Sequence, residues 1–85
     1  MNREYLDSVL RDSVRVLKKM RSETDERLDI GLMEELDKVI DDLEQLEKSP
    51  VASNEKRVKA FDLLGRGTVL LSYLRAIGDL FKNSS

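Results

Sequence analysis

Residues 54–82 read NEKRVKAFDLLGRGTVLLSYLRAIGDLFK, and whether this stretch is one helix or two decides the fold. Gly65 and Gly67 argue for a break, since two glycines together cost about 2 kcal/mol of helix propensity relative to alanine. The spacing argues for continuity. Ala60, Leu64, Gly67, Leu71, Leu74, Gly78 and Phe81 step by 4, 3, 4, 3, 4 and 3 with no change of phase, so an unbroken helix keeps one face throughout. Gly67 and Gly78 then fall on the buried seam, where a missing side chain permits close approach of a neighbouring helix. The competing reading is a kink at 65–67.

Upstream of this helix, Pro50 forbids helical continuation, and the stretch around 49–54 supplies a loop with Ser53 or Asn54 as the next cap. The segment before it has the clearest periodicity in the chain. Leu32, Leu36, Val39, Leu43 and Leu46 step by 4, 3, 4 and 3, and Met33 and Ile40 widen the stripe beyond a bare coiled-coil seam. An amphipathic helix packed on more than one neighbour follows. The first segment places Leu6, Val9, Leu10, Leu17 and Met20 at helical spacing, with Val16 widening the stripe and Ser13 interrupting it. No apolar residue occurs between Arg21 and Arg27, and Ser22 with Asp25 three residues on forms a capping-box signal, so the first turn is expected there. A rival break at Asp29-Ile30-Gly31, with Asp29 as the cap, would shorten the second helix.

The chain therefore reads as one all-α domain over 1–85, a three-helix antiparallel bundle running up, down and up. The helices are expected at about 3–21, 24–48 and 54–82, with a loop at 49–53. The third is the longest, and its overhanging end is the most apolar part of the chain. Two neighbours cannot cover all of it, so Leu70, Tyr73, Leu74, Ile77 and Phe81 are the candidate surface for a homo-oligomer, most simply a dimer.

Composition narrows the function. With 85 residues, the core alone supplies ~3 to 5 kcal/mol of stability, and association is the expected source of more. The chain has no Cys and no His, which excludes disulfides, thiolate zinc sites and the cysteine- and histidine-based catalytic arrangements. No catalytic residue, cofactor or metal site is expected, and a reducing, cytoplasmic setting fits. Residues 1–10 alternate charged and apolar side chains rather than forming a leader, and the apolar run 69–81 is too short to span a bilayer and carries Arg75 and Asp79.

The formal net charge of -2 conceals a strong segregation: residues 1–22 carry +3, 23–48 carry -8 and 49–85 carry +3. An acidic middle helix between two basic ones favours pairing inside a bundle. Intrahelical Glu34–Lys38 and Glu44–Lys48 pairs are also expected. Glu34, Asp37, Asp41 and Glu44 step by 3, 4 and 3 on one outward face, and are the candidate docking surface for a basic protein partner. Such rows hold divalent cations in some all-helical carboxylate enzymes, and a site of that kind here would need Glu34 and Asp37 to meet Glu4 and Asp7. The inward apolar residues Leu36, Val39 and Leu43 instead turn these carboxylates to solvent. Lys56, Arg57 and Lys59 oppose the dipole at the start of the third helix and need compensation, expected from Asp41, Asp42, Glu44 and Glu47 across the short loop. The same three basic residues are the candidate nucleic-acid contacts.

One stretch resembles a known family. Arg57, Lys59, Ala60, Leu63, Leu64, Gly65 and Arg66, preceded by a short loop, are similar to an Arg-x-Lys-Ala-x-x-Leu-Leu-Gly-Lys pattern in a helix of phage terminase small subunits. The likeness covers 15 residues, 52–66, and the N-terminal helix-turn-helix with which that family holds DNA has no counterpart here. What it implies is assembly, with DNA contact by Lys56, Arg57 and Lys59. The residues themselves favour a small non-enzymatic interaction module, a regulator, adaptor or immunity-type inhibitor. A nucleic-acid-associated assembly subunit is the alternative.

Overall fold

The computed structural model describes residues 3–25, 27–50 and 53–83. It contains three helices: α1 (Arg3–Ser22), α2 (Ile30–Lys48) and α3 (Ser53–Asn83). They form an all-α three-helix bundle with no strand among the described residues. Both hairpins are antiparallel. Arg11 meets Glu47 and Arg21 meets Asp37 across α1 and α2, and Val39 lies against Gly67 across α2 and α3. The first and third helices consequently run parallel, with Asp7 against Lys56 and Leu17 against Gly67, and Leu28, in the segment after α1, continues nearly the same offset against Gly78.

The long helix is unbroken through both glycines. Its 31 residues, at ~1.5 Å each, span about 46 Å, nearly the whole 49 Å length of the molecule. A β-carbon at Gly67 would stand 3.5 Å from Val39 Cγ1 and 3.6 Å from the Leu17 methyls, so this glycine sits where all three helices converge. Those are ordinary contact distances, so the position has room for one methyl group and little more.

Three expectations are corrected. The second helix begins at Ile30 rather than near residue 24, because Asp29 caps it: the Asp29 carboxylate accepts from Leu32 N–H at 3.0 Å. The segment between α1 and α2 is instead tied by Asp25, whose side chain accepts from the backbone and guanidinium of Arg27. Secondly, α3 starts at Ser53, so Ser53 and Asn54 are helical residues and not its cap. Thirdly, the core face of α1 is rotated from the expected one. Leu6, Leu10, Val14 and Leu17 are buried, whereas Val9, Val16 and Met20 are exposed along the edge that faces the open side of α3. On α2 the expected stripe is the observed one, with Met33, Leu36, Val39, Ile40, Leu43 and Leu46 buried, except that Leu32 at its start is only half-buried against the core.

The far end of α3 is not a bare overhang. The segment joining α1 to α2 folds back along it, bringing Leu28 Cδ1 to within 3.5 Å of where a β-carbon would stand on Gly78. Among the described residues no helix is long and apolar enough to cross a membrane.

Candidate interaction surfaces

The acidic row of α2 divides between two roles. Asp37 is held by Arg21 of α1 through a two-pronged pair, with Nε–Oδ1 at 2.6 Å and Nη2–Oδ2 at 3.0 Å. Glu44 pairs with Lys18 at 3.1 Å, and below it Glu47 pairs with Arg11 at 3.1 Å. The +3 and -8 segments thus meet in an interhelical ladder, and Glu44 turns to α1 rather than to Lys48. Its rungs are mostly solvated and each contributes modestly, about 0 to 1 kcal/mol. Of the four expected docking carboxylates, Glu34 and Asp41 remain without an ion pair among the described residues, and Asp41 accepts a hydrogen bond from Gln45 at 2.9 Å. Asp7 lies at the opposite end of the bundle from Glu34 and Asp37, so the imagined carboxylate cluster does not assemble. Among the described residues no group of acidic side chains is placed to hold a metal ion.

The basic cluster at the start of α3 also divides. Lys56 is fully buried, with its side chain 0% exposed. Its ammonium donates to Asp7 Oδ1 at 2.7 Å, to the Glu47 carbonyl at 2.8 Å and to the Ser49 carbonyl at 3.3 Å. One side chain therefore neutralises a carboxylate on α1, satisfies carbonyls at the end of α2 and anchors the start of α3. The compensation comes from Asp7 and from backbone oxygens, not from the α2 carboxylates. Lys56 cannot reach a phosphate from this position, which corrects its reading as a nucleic-acid contact. Lys59 pairs with Glu55 at 3.4 Å on the same helix, and Arg57 is half-buried without an ion pair among the described residues. A signal for Lys56 did exist: counting back four from Ala60 continues the inward seam, whereas Arg57 and Lys59 fall beside it.

The proposed oligomer face is split by the same rotation of roles. Leu70 and Leu74 are buried in the monomer's own core, so they belong to folding and are not free to meet another chain. Ile77 is half-buried, and Tyr73 and Phe81 are exposed. The apolar surface that does remain open includes Tyr73 and Phe81 but extends well beyond this set. Of the eleven large apolar side chains exposed among the described residues, ten lie on α1 and α3 and one, Ile30, on α2. Tyr5, Val9 and Phe61 border a cleft of about 200 Å³ between α1 and α3, and Val9, Val16, Met20, Leu64 and Leu71 border the adjoining one of about 490 Å³.

At the exposed turn after α1, the Arg27 guanidinium and backbone N–H beside Asp25 hold its carboxyl below the usual range, and Asp25 in return raises Arg27.

No protein-family model, no curated protein and no solved structure matches this chain.

Proposed function

We propose that the protein is a small non-enzymatic helical interaction module that works through the surface its three helices leave uncovered. The observation that carries this reading is the placement of exposed apolar side chains, concentrated on α1 and α3 and nearly absent from α2. Scattered apolar residues are ordinary on a protein surface, but a row of two aromatics and several aliphatics along two adjoining clefts is the composition of an interaction face. The acidic docking surface is retained in reduced form: Glu34 and Asp41, with Glu35 and Asp42 beside them, face a basic protein partner. We place the protein in the cytoplasm, a setting that its lack of cysteine suits.

The experiment is affinity purification of the native protein alongside two variants. Val16→Glu with Phe61→Glu charges the α1/α3 cleft, and Glu34→Lys with Asp41→Lys reverses the remaining α2 row. All four positions are exposed, so circular dichroism should show the helices intact. Loss of association in the first variant supports the apolar surface, and loss of a basic partner in the second supports the acidic one. A wild-type protein that purifies alone and sediments as a monomer at low salt overturns the reading.

A further inference from the structure

The self-association contained in that reading has a specific geometry. We propose that the protein forms a two-fold symmetric dimer in which the open α1/α3 face packs on the same face of a second copy, with the two long helices antiparallel along their full length. The inference rests on the reading of the protein as an interaction module and adds the identity of the partner and its register.

Two charges on α3 set the register. Arg57 lies in the second turn of α3 and Asp79 in the second-last, and neither has an ion pair among the described residues. They are 22 residues apart, about 33 Å along the helix, so they cannot meet within one chain. Both lie toward the open side of α3, Arg57 beside Tyr5 and Phe61 and Asp79 beside Arg75 and Phe81. An antiparallel second copy related by a two-fold axis through Thr68 brings each Arg57 to the partner's Asp79. That axis is the midpoint of Ser53–Asn83, so the register that pairs the charges is also the one with the greatest overlap.

The rest of the face fits this register. Phe61 comes opposite the partner copy's Arg75, an arrangement that suits a guanidinium over an aromatic ring. At the same level on α1, Val16 comes opposite the partner copy's Met20. Thr68 and Ser72, which sit at the axis, are small, and their hydroxyls already donate to the carbonyls of Leu64 and Thr68 at 2.9 Å each. They present carbon outward and lose little when water leaves. Tyr5, Val9, Val16, Met20 and Phe61, between 38% and 65% exposed, leave on the order of 500 Å² of apolar surface open. A standard interface of ~800 Å² per partner, a little over half of it apolar, needs about that much. The isologous arrangement is the one in which a single patch supplies both sides.

Sedimentation equilibrium across micromolar to millimolar concentrations tests the proposal. The wild type should dimerise reversibly. Arg57→Glu and Asp79→Arg should each weaken the dimer by about tenfold or more, because each replaces two attractive pairs with two repulsive ones. Circular dichroism and thermal unfolding of each variant, which should match the wild-type monomer, separate a lost contact from a damaged fold. An equimolar mixture of the two should recover wild-type affinity, since each variant then meets its complement. Thr68→Glu places like charges together at the axis and should weaken its own homodimer, with the loss relieved on mixing with the wild type, where only one copy carries the carboxylate. A monomeric wild type overturns both this proposal and the self-association it rests on. A wild-type dimer that both charge variants leave unchanged, or that their mixture fails to restore, overturns this geometry alone.

Discussion

Replacing Lys56 with methionine tests the structural account most directly. The substitution keeps an unbranched side chain of similar length in the same buried site but removes the ammonium. Asp7 loses the ammonium at 2.7 Å and the Glu47 carbonyl loses that donor at 2.8 Å. Breaking a buried ion pair by deleting one member costs about 3–5 kcal/mol. Asp7 keeps 27% of its side chain exposed, so water can partly replace the lysine and the lower end, about 3 kcal/mol, applies. In a domain this small that corresponds to roughly 12–24 °C in Tm, a large part of the stability its core can supply. The assay is urea and thermal unfolding followed by circular dichroism at a fixed protein concentration. The decisive measurement is a double-mutant cycle with Asp7→Leu, which alone strands the buried ammonium and should cost about as much. With both changes, no charge is left unpaired, and the double variant should be more stable than either single one. Additivity to within about 0.5 kcal/mol would refute the coupling. A Lys56→Met cost below about 0.5 kcal/mol, as expected for a solvated lysine, would refute the burial itself.

Other expectations follow from the same geometry. Gly65→Ala and Gly67→Ala should each raise stability by up to about 1 kcal/mol, since a methyl meets nothing within 4 Å at the first and only ordinary contacts at the second, whereas Gly67→Leu should destabilise; chemical denaturation reads both. Asp29→Ala removes the cap of α2 and should cost about 1 kcal/mol with loss of protection at the Leu32 amide, measured by hydrogen exchange. Asp25 has a carboxyl held below its ordinary range, so its contribution is present above the unfolded value and is lost as pH falls through the lowered folded one. Its titration midpoint by NMR should lie below that of an unpaired aspartate and return toward it in Arg27→Gln.

The long helix was legible because its apolar spacing stays in phase across 65–67, and phase is a property of the whole stretch that two local propensities do not override. The α2 core was legible for the same reason. Val9, Val16 and Met20 misled because a broad apolar stripe identifies a helix without saying which edge of it faces the neighbours; three helices cover only part of α1's stripe. Lys56 was misread because its letter and its basic neighbours describe a solvated cluster. Its burial depends on Asp7, 49 positions away, and on backbone oxygens that no side chain encodes. The acidic row was read correctly as outward, yet two of its members turned sideways to α1. Lateral pairing of that kind is decided by the rotation of both helices together.

The two ends of the bundle are fastened by different means, and this gives the molecule a direction of opening. At the end where α2 passes to α3, a buried ammonium binds all three helices at once. At the other end, where α1 passes to α2, the segment before Asp29 rests on α3 through Leu28 beside Gly78. Fluctuations should therefore start around Leu28 and the last turns of α3 and travel toward Lys56, so amide exchange rates should fall along the bundle in that order. The protein would then behave as a hinged clasp, its exposed Phe81 and Leu80 on the moving part and its polar lock on the fixed one.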